Sequence, residues 1–154
     1  DCELSRGLGD VYKRQHMDNT RELLDFLTTH EDVAWVRHPD LPDHPGYDIA
    51  KRLMPRGAGS IIAFGVKGGR EAGRAFIEAV ELSSHLANVG DAKTLVIHPA
   101  STTHSHIDAD AMKAGGLSDD MIRLSVGLED VADIKADFES GFKAARRITA
   151  EEQR

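Results

Sequence analysis

The chain has 154 residues, of which 40% are hydrophobic and 29% are charged, so one globular domain with a largely aliphatic core is expected. Its formal net charge of -7 argues against a nucleic-acid-binding surface, and no apolar run is long enough to cross a bilayer. Cys2 is the only cysteine, which excludes an internal disulfide framework and is typical of a protein of the reducing cytoplasm.

The first fifteen residues, Asp1–Gln15, differ in pattern from the rest of the chain. They have no clean periodicity, they lack the apolar core of a secretory signal peptide, and they directly precede an amphipathic helix pattern. We therefore interpret residues 1–15 as a non-native, adaptor-like leader and residues 16–154 as the domain proper. The leader is expected to pack poorly and to contribute no core residue.

Helical and extended patterns alternate along the rest of the chain. Helices are predicted where apolar residues recur every three or four positions, and strands where β-branched residues cluster between glycines and prolines. The predicted helices run from Asp18 or Asn19 to about His30, and over Tyr47–Met54, Arg70–Leu82, Asp108–Ala114 and Asp130–Arg147. The predicted strands are Asp32–Val36, Ser60–Val66, Thr94–Ile97 and Met121–Val126.

The mixture of helices with about four short strands predicts an α+β domain with a small, mainly antiparallel sheet. Ile122, Leu124 and Val126 alternate onto one face of the last predicted strand. The two long amphipathic helices, Arg70–Leu82 and Asp130–Arg147, need an apolar surface to cover. We therefore expect both helices to pack on the face of the sheet that carries these three side chains.

Arg123 is the one charged residue inside that otherwise apolar strand pattern, and it points to the opposite face with Ser125. A guanidinium is rarely buried without a partner, and its planar fork suits a carboxylate bound through two hydrogen bonds. This pattern allows two interpretations. Arg123 is either half of a structural ion pair at an edge of the sheet or the binding residue for an anionic ligand.

Two other motifs do not predict a site. Gly57-Ala58-Gly59-Ser60 lacks the third glycine of a dinucleotide-binding loop and precedes a strand instead of following one. His98, His104 and His106 lie in one loop, but no histidine pair with helical spacing and no cysteine accompanies them, so we predict no metal site. The same loop lacks the Gly-x-Ser-x-Gly turn that would expose a serine nucleophile.

Four motifs, in order along residues 16–145, resemble the C-terminal domain of the cystathionine synthase/lyase family. This family comprises pyridoxal-phosphate enzymes of cysteine and methionine metabolism, and the resemblance implies the C-terminal domain of a fold-type I enzyme. The motifs are Leu41-Pro42-x-His44-Pro45, Gly57-Ala58-Gly59-Ser60-Ile61-Ile62-Ala63-Phe64, Leu95-Val96-Ile97-His98-Pro99-Ala100-Ser101-Thr102-Thr103-His104 and Ile122-Arg123-Leu124-Ser125-Val126-Gly127-Leu128-Glu129.

The turn Asn88-Val89-Gly90-Asp91 resembles the O-acetylhomoserine sulfhydrylase branch of that family, whereas cystathionine synthases and lyases typically carry a Ser-Leu-Gly-Gly type sequence there. The resemblance implies a γ-replacement, in which sulfide or a thiol replaces the acetate of O-acetyl-L-homoserine and homocysteine forms. It assigns Arg123 to the substrate α-carboxylate and places Asn88 against the same carboxylate. A cystathionine γ-synthase or γ-lyase is the alternative within the family, and a non-catalytic interaction domain is the alternative outside it.

The resemblance also implies that the chemistry needs residues outside this chain. Enzymes of the family hold pyridoxal 5'-phosphate as a Schiff base on a lysine of a large N-terminal domain. Lys51, Lys67 and Lys93 do not stand in the family's Ser-x-Thr-Lys context. We therefore expect an N-terminally truncated fragment, inactive alone, with no catalytic, cofactor-binding or metal-binding residue of its own. The whole enzyme is expected to be a homotetramer.

Overall fold

The computed structural model describes residues 2–102 and 115–152. The helices are α1 (Cys2–Thr29), α2 (Tyr47–Leu53), α3 (Gly69–Ala79) and α4 (Val131–Glu152), with a turn of 3-10 helix at Pro99–Ser101. The strands are β1 (Val33–Arg37), β2 (Ile61–Val66), β3 (Ser84–His85), β4 (Leu95–Ile97) and β5 (Met121–Ser125). The predicted helix at Asp108–Ala114 lies outside the described residues, as do His104 and His106.

The strands form one sheet in the order β1-β2-β5-β4-β3. β2 pairs antiparallel with both β1 and β5, and β4 pairs antiparallel with β5, whereas β3 runs parallel to β4. The predicted α+β fold with a small, mainly antiparallel sheet is therefore confirmed. The expected number of about four strands was too low, because β3 has only two residues and carries no readable alternation.

One face of the sheet packs against α1, α3 and α4 and forms the core. Ile122, Leu124 and Val126 are fully buried there, which confirms the predicted position of the two amphipathic helices. Four phenylalanines fill the centre of this layer, with ring centroids of neighbouring pairs 4.9 to 6.3 Å apart. They are Phe64, Phe76, Phe138 and Phe142.

The first helix begins much earlier than predicted. Residues 2–29 contain no proline, so the well-formed helix of the second half propagates toward the N terminus. The predicted start at Asp18 or Asn19 was therefore wrong. The side chains of residues 10–15 are exposed, and the core residues that α1 supplies begin at Leu23.

The helix α3 ends at Ala79, three residues before its predicted end at Leu82. The carboxylate of Asp137 on α4 accepts the backbone N–H groups of Glu81, Leu82 and Ser83 at 2.7, 3.1 and 2.9 Å. These N–H groups donate to a side chain outside α3 instead of to carbonyl groups of the helix, so the helical hydrogen-bond pattern ends there. The apolar periodicity continues through Leu82, so the sequence pattern alone does not reveal this early end.

Deleting residues 1–15 should change the free energy of unfolding by less than about 0.5 kcal/mol, because the described side chains of residues 10–15 are exposed. Asn19→Ala is the contrasting variant, since buried Asn19 donates to the carbonyls of Gly127 and Glu129. Its loss should cost about 1–3 kcal/mol. Urea unfolding of both variants checks this, and a large loss on deletion would show that the leader is part of the folded domain.

Candidate carboxylate-binding site

The candidate site lies on the face of the sheet opposite the helices, at β5. Arg123 pairs with Ala63 of β2 on one side and with Ile97 of β4 on the other, and Ala63 in turn pairs with Arg37 of β1. Directly paired residues point to the same face of a sheet. Arg37, Ala63, Arg123 and Ile97 therefore form one row, the arginine row, and each of the four is at least partly exposed.

Arg123 is half-buried, and among residues 2–102 and 115–152 it makes neither a hydrogen bond nor an ion pair. Other arginines of this part of the chain are paired: Arg74 with Glu78 at 2.9 Å and Arg146 with Glu31 at 2.8 Å. Within the described residues, therefore, no acidic side chain supports the interpretation of Arg123 as half of a structural ion pair. An arginine fork at the centre of a sheet face has the geometry to bind a carboxylate, which keeps the ligand interpretation as the prediction.

Ser125 adds a second polar group on the same face of β5. Its hydroxyl is buried and has no hydrogen-bond partner among the described side chains and backbone. An unsatisfied buried hydroxyl is costly, so such groups are uncommon in folded proteins. Ser125 stands two residues from Arg123 on the strand and therefore shares its face.

The segment after β5 is fastened at several points, which fixes the strand. Glu129 accepts hydrogen bonds from the backbone N–H and the hydroxyl of Thr94 at 2.7 and 2.8 Å. The Thr94 oxygen in turn accepts the N–H of Gly127 at 3.0 Å. A Cβ at Gly127 would collide with the backbone of Lys93, so this close approach requires glycine. Buried Asn19 of α1 binds the same segment from the other side.

His98 lies on the helix side of the sheet, away from Arg123. It is fully buried, and a Cβ at Gly73 of α3 would lie 2.8 Å from its Nε2 atom. Nε2 donates to the carbonyl of Asp119 at 2.7 Å, so Nδ1 accepts from the hydroxyl of Ser101 at 2.8 Å. Both ring nitrogens are thus occupied, and burial lowers the pKa of the imidazole. His98 joins two loops of the fold and is not a ligand in the described structure.

Asn88 makes its hydrogen bonds within its own turn. Its side-chain oxygen accepts the N–H of Val89 at 2.9 Å, and its amide nitrogen lies 3.5 Å from the Asp91 carboxylate. The strand before it ends at His85, which pairs with Val96, one position short of the arginine row. The chain therefore leaves β3 near the level of the arginine row, and the turn follows at that end of the sheet. No contact joins Asn88 and Arg123 within the described ranges, and the role of Asn88 stays a prediction.

The outward-facing positions of the strands carry no lysine in the part of the chain that the structure describes. Over the same residues, no group of three or more histidine, cysteine, aspartate or glutamate side chains is placed to hold a metal ion. Within those ranges, too, no helix has both the length and the hydropathy of a membrane span. Within the described residues, the site thus consists of an arginine fork and a buried hydroxyl on an α+β scaffold.

The chain belongs to the family of Cys/Met metabolism PLP-dependent enzymes, because the model of that family matches residues 4–143. The resemblance drawn from the four sequence motifs is therefore confirmed. The match begins at residue 4, inside the stretch interpreted as an adaptor-like leader, and the boundary at residue 15 stays a prediction.

Individual proteins and solved structures that are similar to the chain support this family membership. O-acetyl-L-homoserine sulfhydrylase 1 of Thermus thermophilus is 48% identical over 124 residues, which are 80% of this chain and 30% of that protein. A crystal structure of cystathionine gamma synthase from Xanthomonas oryzae pv. oryzae has a TM-score of 0.81 and 34% identity, over 90% of this chain and 36% of that chain. A structure described as O-acetylhomoserine (thiol)-lyase from Campylobacter jejuni contains N'-pyridoxyl-lysine-5'-monophosphate. Its TM-score is 0.79 at 32% identity, over 87% of this chain and 32% of that chain. The chain thus spans about a third of the length of these relatives.

The free energy of unfolding should fall as the pH drops below about 6.5, the ordinary pKa of histidine. Burial lowers the pKa of His98 and of His38, so both imidazoles resist protonation in the folded chain. The unfolded chain takes up those protons first, which favours unfolding in acid and has no effect well above this pH. Urea unfolding from about pH 5 to about pH 8 measures the slope. The slope should be shallower in His98→Gln than in the unaltered chain; an equal slope in both chains would contradict the assignment.

Proposed function

We propose that the whole protein is a pyridoxal-phosphate-dependent γ-replacement enzyme and that this chain supplies its substrate-binding domain. Sulfide or a thiol would replace the acetate of O-acetyl-L-homoserine and give homocysteine. The turn Asn88-Val89-Gly90-Asp91 and the 48% identity to an O-acetyl-L-homoserine sulfhydrylase support this substrate. A cytoplasmic location and a homotetramer, both expected from the sequence, stay predictions.

The guanidinium of Arg123, which has no partner in the part of the chain that the structure describes, carries this proposal. Its planar fork matches a carboxylate, and the rigid strand β5 holds it at the centre of the sheet. Binding the α-carboxylate there would fix the orientation of the amino group and of the carbon chain that reacts. Orientation of this kind lowers the activation barrier of the reaction, because the entropy needed to align the reacting atoms is already lost on binding. Arg123 is therefore a substrate-binding residue that acts by position.

Pyridoxal phosphate would act as the electron sink of the whole enzyme, on a domain outside this chain. The described outer face provides no lysine for covalent attachment of the cofactor. We therefore assign this chain no step on the cofactor. The likeness to a cystathionine gamma synthase structure at 34% identity keeps that activity as the second candidate.

Replacing Arg123 in the whole protein should lower kcat/KM for O-acetyl-L-homoserine. Arg123→Ala should cost about 2–5 kcal/mol of transition-state stabilisation, because it leaves the substrate carboxylate without its partner. Arg123→Lys keeps the charge but loses the fork, so it should recover only part of the loss. Steady-state kinetics and unfolding midpoints are measured on the same samples, with Arg74→Ala on the opposite side of the sheet as the control. A destabilised Arg123→Ala protein with normal kcat/KM would remove Arg123 from the site.

This chain, mixed alone with pyridoxal phosphate and then reduced with borohydride, should give no stoichiometrically labelled lysine. The described lysines are engaged elsewhere or exposed; Lys51, for example, lies 3.7 Å from Asp40, and Lys67 donates to the backbone of Glu31. Peptide mapping by mass spectrometry checks this, with free poly-lysine as the reference for non-specific labelling. A single lysine labelled to completion would overturn the assignment of cofactor binding to another domain.

A further inference from the structure

A second arginine stands in the same row as Arg123. Arg37, the last residue of β1, pairs with Ala63, and Ala63 pairs with Arg123. Only the methyl group of Ala63 lies between the two long side chains. Their Cα atoms are roughly 10 Å apart, twice the spacing of about 4.8 Å between adjacent strands. Both guanidinium groups can therefore approach one small molecule on this face.

The ring of Trp35 is the neighbour that positions the Arg37 side chain on this face of the sheet. The indole nitrogen of Trp35 donates to the carboxylate of Asp120 at 2.9 Å, and Asp120 immediately precedes β5. The ring crosses β2 at Gly65, where a Cβ would collide with it. The guanidinium carbon of Arg37 lies 5.2 Å from the centroid of this ring. Arg37 is thus held against the ring that covers Gly65 of β2.

Stacking on an aromatic ring uses the flat face of a guanidinium and leaves its in-plane N–H groups free. Arg37 forms no ion pair within residues 2–102 and 115–152, although the chain has 26 acidic and 19 basic residues. A cleft of about 710 Å³ adjoins it, lined among others by Asp43, which is not bonded to it, and by His44. Two arginine forks without an ion pair among residues 2–102 and 115–152, on one face of a net acidic chain, favour an anion at each.

We propose that Arg37 is a second carboxylate-binding residue, which holds a second carboxylate while Arg123 holds the first. The inference rests on the proposed function and deepens it by naming the ligand class. The site would favour reactants that present two carboxylates over reactants that present one. The second carboxylate has two possible sources. The incoming thiol is the source that agrees with an O-acetyl substrate, because an acetyl group carries no carboxylate; an acyl source would replace the proposed O-acetyl substrate with an O-succinyl one.

L-2-Aminoadipate and L-norleucine test the proposal directly on this chain. They have the same carbon skeleton, but only aminoadipate ends in a second carboxylate. In NMR titrations, aminoadipate should bind about tenfold more tightly than norleucine, as for one added charge-assisted hydrogen-bonded pair. Arg37→Gln should remove that preference and leave norleucine binding unchanged. Arg74→Gln, on the helix side of the sheet, is the matched control and should change neither affinity.

The outcomes separate the two arginines. If Arg123→Gln weakens both ligands while Arg37→Gln weakens neither or both equally, the role of Arg37 is overturned and that of Arg123 stands. If the unaltered chain binds neither amino acid, or Arg123→Gln changes neither affinity, the carboxylate clamp of the proposed function fails, and the inference fails with it. Unchanged backbone spectra of the variants would show that each difference comes from binding and not from misfolding.

The whole enzyme distinguishes the two sources of the second carboxylate. If the acyl group supplies it, Arg37→Gln should lower kcat/KM for O-succinyl-L-homoserine about tenfold more than for O-acetyl-L-homoserine. If the thiol supplies it, the same variant should lower kcat/KM for mercaptoacetate about tenfold more than for methanethiol, at fixed O-acetyl-L-homoserine. If Arg37→Gln changes kcat/KM equally for both members of each pair, the proposal is overturned.

Discussion

The alternation of side chains along β5 is the constraint on which the rest of the structure depends. Ile122 and Leu124 must enter the core under α3 and α4, where the four phenylalanines meet. A strand has a period of two, so Arg123 is forced onto the other face. A one-residue slip would bury the guanidinium among apolar side chains at a prohibitive cost. Packing of the core therefore determines where the arginine fork stands.

The position of β5 along its own axis depends on polar contacts at its two ends. At the C-terminal end, Glu129, Thr94 and Gly127 lock the exit of the strand to the start of β4. Near the N-terminal end, His98 binds the backbone of Asp119 and Trp35 binds Asp120. These contacts join loops that are far apart in the sequence. They hold Arg123 in a fixed place without touching it, which is what a carboxylate clamp requires.

Much of this arrangement could be predicted from the sequence because it depends on short-range periodicity. The alternation in Met121–Val126 predicts which side of the strand Arg123 occupies, and the apolar stripes predict which face the helices cover. Boundaries were less accurate where a distant residue decides them, as Asp137 does for the end of α3. Asp137 is separated from that end by more than fifty residues, so no local pattern contains this information.

The position of Arg37 in the same row as Arg123 could not be predicted from the sequence, for a similar reason. The sequence shows Trp35 and Arg37 two positions apart, but the predicted strand Asp32–Val36 ends before Arg37, which is the last residue of β1. The sequence also does not show that β1 and β5 flank β2 or that Ala63 lies between the two arginines, because both facts depend on the register of the sheet. The small side chains at Ala63 and Gly65 are the only hint, and they acquire meaning only once the pairing is known.

The central claim is that the guanidinium of Arg123 binds a carboxylate on the face of the sheet opposite the core. The Nε–H resonance of Arg123 reports on this directly and is assigned by its loss in Arg123→Lys. On titration with L-norleucine it should shift and reach saturation, whereas L-norleucinamide, which has no carboxylate, should leave it in place. An unmoved resonance, or an equal shift with both compounds, would contradict the claim.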